Sequence, residues 1–170
     1  MKAIKVENPG SGYALKLAEI EKPAPGPGEV LIKVAAAGLN HADMAQAKGM
    51  YPPPPGASPI LGMEVSGTVE ALGESVGNCE IGDHVCALIP GGGYAEYAVA
   101  SALCVLPVPR VVSLVDAAAL PEVYFTVWTN IMDSARLKKN ESVLIHGGSS
   151  GIGTAAIQLL HARGHKVLTT

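Results

Sequence analysis

Charge, aromatic rings and cysteine are all scarce in this chain of 170 residues: charged side chains make up 16 %, aromatics 4 %, and there is one Trp, one Phe and three Cys. Soluble domains carry roughly 25 % charged residues, so part of the apolar surface points to a partner or to further sequence. No Lys/Arg cluster is longer than Lys138-Lys139 and the formal net charge is −3. That removes the electrostatic footprint of a nucleic-acid binder. Cys79, Cys86 and Cys104 form neither an even framework nor a C-x-x-C pair; a disulfide scaffold is excluded, and buried reduced thiols are expected. No run of 18 apolar residues occurs, and the opening Met-Lys-Ala-Ile-Lys-Val has no long apolar stretch of a secretory signal. A cytoplasmic protein without membrane spans is the expectation.

What is present is apolar material, glycine and proline. Hydrophobic residues reach 48 %, with 20 Gly and 13 Pro, enough for one core and the beginning of a second. The first 110 or so residues read as short strands: Ala3 to Val6, Leu15 to Ile20, Val30 to Ala36, Glu64 to Ala71, His84 to Ile89 and Tyr94 to Val99. Pro23 to Gly28 breaks the second from the third. Asn40 is placed to cap a short helix over Ala42 to Lys48, and Pro52 to Pro55 stiffen an exposed loop that presents Tyr51. The β-rich run, a small barrel or sandwich, ends near Leu106-Pro-Val-Pro109. Ser113-Leu-Val-Asp116 then opens a helical stretch in a capping-box pattern, and Pro121 opens a second helix running to about Ala135.

The last 30 residues carry the most chemistry. Ser142 to His146 reads as a buried-type strand, Gly147-Gly-Ser-Ser-Gly-Ile-Gly153 as a glycine turn, and Thr154 to Arg163 as a helix with Ile152, Ala156, Leu159 and Leu160 on one face. Gly164 ends that helix and Lys166 to Thr170 begins another strand. Strand, turn, helix and strand form one βαβ unit of a parallel sheet. At such a turn the helix dipole and free N–H groups favour a pyrophosphate, and glycines let it approach the backbone. A structural turn that binds nothing is the competing reading. The spacing also resembles the short-chain dehydrogenase turn, but about 140 residues of mostly β-type sequence precede it, whereas in that family it lies near the N-terminus.

With those residues in view, Asn140 to Gln158 is similar to the signature of quinone oxidoreductases of the zeta-crystallin type, in the medium-chain dehydrogenase/reductase superfamily. Pro25-Gly-Pro-Gly-Glu-Val-Leu-Ile-Lys-Val34, Gly38-Leu-Asn40 with Asp43, Leu61 to Val69, Gly82-Asp-His-Val85 and Gly93-Tyr-Ala-Glu-Tyr97 follow in the family's order. The resemblance spans essentially the whole chain. It implies an α/β plus β architecture: a GroES-like β-barrel domain over residues 1–120 and the start of a Rossmann doubly wound parallel sheet over 121–170. Members are about twice this length and usually dimerise through the far edge of the Rossmann sheet, so a homodimer is implied for a full-length form.

The resemblance further implies NADPH as cofactor, with NADH not excluded because the residues meeting the adenosine ribose would follow the second strand. It places Gly148, Ser149, Ser150, Gly151, Ile152 and Gly153 against the cofactor and Thr126 near its nicotinamide. It places Tyr51 as hydrogen-bond donor or proton source and Asn40 as orienter of the acceptor. Loop, cap and packed-helix roles compete for Tyr51, Asn40 and Thr126. Metal-dependent relatives carry Cys, His and Cys at positions resembling Asn40, Met63 and Glu122; Asn and Met are poor zinc ligands, so no metal is expected, and a stray set of His41, Glu64 and His84 is set aside. Without a Lewis acid, the implied reaction is hydride transfer to an already electrophilic small molecule, a quinone or else an enone or 2-alkenal. The remaining alternative is a catalytically inert chain that binds a partner or fills space. Glu64 is expected to anchor the barrel, and Pro90 to Gly93 either a flexible cleft loop or a plain turn.

Overall fold

Along the strand Glu29–Ala37, Val30 and Ile32 face one way and Leu31 and Lys33 the other, and Val30, Leu31 and Ile32 are all buried. A strand covered on both faces belongs at the centre of a sheet. In the computed structural model, which describes residues 1–170, the chain forms two compact units, Met1–Pro121 and Glu122–Thr170.

The first unit begins with an antiparallel hairpin of β1 (Lys2–Glu7) and β2 (Ala14–Glu19). Then follow β3 (Glu29–Ala37), helix α1 (His41–Ala47), β4 (Glu64–Leu72), β5 (His84–Leu88), β6 (Tyr97–Ser101), β7 (Val105–Pro107) and the short helix α2 (Leu114–Ala117). Strands β6-β3-β4-β5-β7 hydrogen-bond in that order into one antiparallel sheet. Register shifts between Leu31 and Ile32 and between Val34 and Ala36 mark bulges against β4, which bend and twist the strand. The core is built from Val30, Ile32, Val65, Val69, Val85 and Ala98 with their neighbours. Ser113 caps α2 by accepting the Asp116 N–H, and the Ser66 hydroxyl donates to the Leu114 carbonyl.

The expected strand Tyr94 to Val99 starts only at Tyr97 and runs on to Ser101. The reason is that the backbone of 94–96 is used elsewhere: Tyr94 N–H donates to the Leu61 carbonyl, and Ile4 N–H to the Tyr94 carbonyl. Gly92 and Gly93 likewise donate to the carbonyls of Ile60 and Gly62. The glycine loop is therefore pinned, not free.

In the second unit, α3 (Pro121–Val127, its Pro121 closing the first unit) continues as a π-helical turn, Trp128–Ser134. The expected α-helix to Ala135 changes its winding here. The Asn130 amide caps the Thr126 carbonyl at 2.8 Å, and Ala135 N–H reaches back five residues to the Asn130 carbonyl. Strands β8 (Ser142–Ile145) and β9 (Lys166–Thr169) pair in parallel around α4 (Gly151–Ala162). Helix α4 starts three residues earlier than the sequence pattern places it, because Ser150 accepts the Gly153 N–H at 3.0 Å and acts as N-cap. Ala155, Ala156 and Leu160 are buried and Leu159 is half-buried. Ile152 departs from the expected shared face: it sits in the first turn, beyond the packed part of the helix, and is 38 % exposed. On the sheet's other face the paired Leu144 and Leu168 are exposed. No helix is long and apolar enough to cross a membrane.

Candidate functional site

Asn40 ends the descent from β3 into α1. Its backbone is extended and its N–H donates to Asp43 Oδ2 at 2.8 Å, which closes the helix start. Asp43 is 3 % exposed and accepts from two further donors, the Gly62 N–H at 3.1 Å and the Tyr94 hydroxyl at 2.8 Å. A buried carboxylate that satisfies three donors joins three chain segments 19 and 51 residues apart. Gly62 is left-handed, and a β-carbon there would come within 2.6 Å of the Tyr94 ring. Tyr94 can lie over Asp43 only because position 62 has no side chain. The Asn40 side chain in turn donates from Nδ2 to Glu64 Oε1 at 2.9 Å, and Glu64 is 2 % exposed.

Beside this network lies a pocket of about 360 Å³ lined chiefly by Tyr13, Leu39, Asn40, Met44, Leu61 and Tyr94. Its walls are mostly apolar, with Asn40 and Asp43 at the polar side. Tyr51 does not line it. That residue follows α1, stands half exposed before Pro52, and its hydroxyl has no hydrogen-bond partner within the chain. Tyr51 and Asn40 lie in the same unit, but no hydrogen bond joins them.

The Tyr94 phenol is pushed well above a tyrosine's ordinary value, first by burial, then by its bond to Asp43 and by the charges of Asp43 and Glu64. Burial, and secondarily the Glu64 charge, raises the Cys86 thiol. For both groups the folded state holds a proton that the unfolded chain gives up sooner. The stability they contribute is thus intact below the ordinary values of 9.0 and 10.0 and is lost as pH rises beyond them. Urea midpoints of the first unit are expected to fall steadily above about pH 9, with Tyr94→Phe flattening the upper part of the decline. A midpoint constant up to about pH 11 would rule this out.

The second unit holds the remaining candidates. Gly148 is buried under Thr169, Ser150 caps α4, and the N–H groups of Gly151 and Ile152 at the helix start have no partner in the chain. Gly153 packs so closely that a β-carbon would meet Gly148 Cα at 2.8 Å. Ser149 is exposed in the turn. Thr126, half-buried on α3, donates to Glu122 Oε1 at 3.3 Å, a contact one helical turn back. His41, Glu64 and His84 are not brought together: no three His, Cys, Asp or Glu side chains are grouped to hold an ion. Cys79 and Cys86 are buried and Cys104 half-buried, all free thiols.

Sequence reasoning passed over Asp43 and Tyr94 as site-forming residues. The Asn40-x-x-Asp43 spacing was a usable sign of the cap, whereas Gly62 and Tyr94 reach Asp43 only through the fold.

The alcohol dehydrogenase GroES-like domain matches residues 26–110. Mouse quinone oxidoreductase is 38 % identical over 172 residues, covering 100 % of this chain and 52 % of its own length. The mycocerosic acid synthase-like polyketide synthase of Mycobacterium tuberculosis is 32 % identical over 167 residues, covering 98 % of this chain and 8 % of the synthase. Among solved structures, the CurK enoyl reductase superposes with a TM-score of 0.86 at 28 % identity, over 99 % of this chain and 53 % of its own. Quinone oxidoreductase from Thermus thermophilus, solved also in complex with NADPH, gives 0.78 at 34 %, over 99 % and 52 %. The chain thus spans about half the length of these two oxidoreductase structures and of the mouse enzyme. With its GroES-like sheet and the βαβ unit that follows, it belongs to the alcohol dehydrogenase family of the medium-chain dehydrogenase/reductase superfamily.

Proposed function

We propose that the chain is part of a zinc-independent, NAD(P)H-dependent oxidoreductase that passes a hydride to a quinone. The observation that carries this reading is the opening of α4. Two unpartnered N–H groups, a Ser150 cap and closely packed glycines come together at the start of that helix. A dinucleotide phosphate fits that chemistry, with Gly148 to Gly153 as its contacts, NADPH preferred and NADH not excluded; Thr126 would lie near the nicotinamide. When bound, the cofactor supplies two electrons as hydride. The chain's own residues do the rest. Asn40 orients the acceptor with its amide, and Tyr51 donates a hydrogen bond or proton to the oxygen on which charge develops. Asn40 and Met63 stand where metal-dependent relatives hold zinc, and neither serves a catalytic zinc; the acceptor must therefore be electrophilic on its own, and conjugated carbonyl compounds are.

A second reading keeps the chemistry and changes the acceptor to an enone or 2-alkenal. The likeness to the CurK enoyl reductase and to a mycobacterial polyketide synthase favours it. We also propose residues 1–120 as the substrate-side domain and a cytoplasmic homodimer for the complete gene product.

The test is calorimetric titration of NADPH and NADH into that complete gene product, with turnover of 1,4-benzoquinone and of a 2-alkenal. NADPH binding with quinone turnover is expected, and Asn40→Ala is expected to lower kcat about 100-fold. Turnover of the alkenal alone would move the assignment to the second reading. Absence of dinucleotide binding would end both.

A further inference from the structure

We propose that Glu64 is a positioning residue that sets the direction in which Asn40 presents its amide. The inference rests on the proposed role of Asn40 and adds a residue to it. Glu64 is the first residue of β4, and its carboxylate is withdrawn from water, 2 % exposed. Its Oε1 accepts Asn40 Nδ2 at 2.9 Å across 24 residues of chain.

Three further observations give that contact a direction. The amide of Asn40 turns its NH2, not its carbonyl oxygen, toward Glu64. Position 38, just past the end of β3, is glycine, and a β-carbon there would collide with the same Oε1 that Asn40 uses; the close approach of Glu64 is thus provided for there as well. Finally, the Asn40 backbone is held independently, its N–H bonded to the buried Asp43 at 2.8 Å. Asp43 fixes where Asn40 starts and Glu64 fixes where its side chain ends. An asparagine at a helix N-cap otherwise samples several rotamers and both amide orientations. Here one N–H is committed to Glu64, and the direction of the whole amide is set with it.

The consequence is a coupling between two residues. Losing Glu64 should harm turnover through the direction of the Asn40 amide. In the complete gene product, Glu64→Gln keeps an acceptor oxygen and is expected to retain kcat within about 10-fold, while Glu64→Leu, which accepts nothing, falls about 100-fold, as Asn40→Ala does. KM for NADPH should not change in any of these. In the double variant Asn40→Ala with Glu64→Leu, the loss should equal that of Asn40→Ala alone. A purely structural Glu64 would instead add its own loss to that of Asn40, and that result would overturn the proposal.

If Glu64→Leu does not fold, a second measurement remains. Selective 15N labelling of asparagine identifies the Asn40 side-chain NH2 by its disappearance in Asn40→Ala. Its two protons should be widely split and slow to exchange in the wild type, and Glu64→Gln, which keeps an acceptor oxygen, should preserve that pattern. An NH2 signal that is already averaged in the wild type would overturn the proposal. A silent Asn40→Ala would instead defeat the proposed role of Asn40 in turnover, with the amide signal still deciding whether Glu64 holds it.

Discussion

Asp43→Ala is expected to lower the stability of the first unit by about 3–5 kcal/mol, the cost of stranding its buried partners and of the cavity left behind. Three donors converge on that one carboxylate, from Asn40, Gly62 and Tyr94. Two of them are backbone N–H groups that cannot turn elsewhere, and an unsatisfied buried donor costs roughly 1–3 kcal/mol. The Tyr94 hydroxyl, on a rotatable bond, recovers more easily. Truncation also opens space beside Leu61 and Ala47, both nearly inaccessible to water, and a cavity adds its own cost.

Asp43→Asn separates hydrogen bonding from shape. It conserves volume but places an NH2 group against donors, so one contact becomes repulsive. A smaller loss, about 1–3 kcal/mol, is expected. Urea unfolding followed by far-UV circular dichroism reads both. A loss below about 1 kcal/mol for Asp43→Ala would mean that water or relaxation satisfies the stranded groups, and the hub assigned to Asp43 would be wrong. The variant has a functional side too, since the Asn40 N–H loses its anchor.

This hub marks the limit of what the sequence disclosed. The cap was legible because Asn40 and Asp43 lie three residues apart, within one turn. The strands were legible because Val30, Ile32, Val65 and Val69 follow a two-residue period, and the glycine turn because it sits between an apolar strand and an amphipathic helix. Contacts across long separations left no such trace. The pairing of 60–62 with 92–94 and of 2–4 with 94–96 shortened a strand that local pattern alone extends backward to Tyr94. Side-chain competition for backbone groups was hidden as well. Asn130 over Thr126 changes the winding of a helix whose composition reads as ordinary α-helix, and Ser150 moves the start of α4 from Thr154 to Gly151. The pairing of Asn40 with Glu64 is of the long-range kind, although both residues were visible as parts of separate motifs.

Gly153→Ala is expected to abolish measurable NADPH binding, a loss of more than about 100-fold, while leaving the first unit's stability unchanged. The added β-carbon would overlap the Gly147 carbonyl oxygen and sit 2.8 Å from the Cα of Gly148. Both are backbone atoms of the turn, so the clash cannot be relieved by rotating a side chain. Either α4 shifts away from the turn or the turn opens, and in each case the Ser150 cap on the Gly153 N–H is disturbed. The N–H groups of Gly151 and Ile152 then no longer point at a common place, which is what a phosphate needs. Trp128 lies 5.3 Å from the Arg163 guanidinium, and its fluorescence, recorded in the 170-residue chain where it is the one tryptophan, follows the packing of α4 within the second unit. A changed Trp128 signal together with lost binding would place the phosphate cradle at this turn. Wild-type affinity despite a displaced α4 would show that the dinucleotide binds elsewhere, and with it the reading of Gly148 to Gly153 as cofactor contacts would fail.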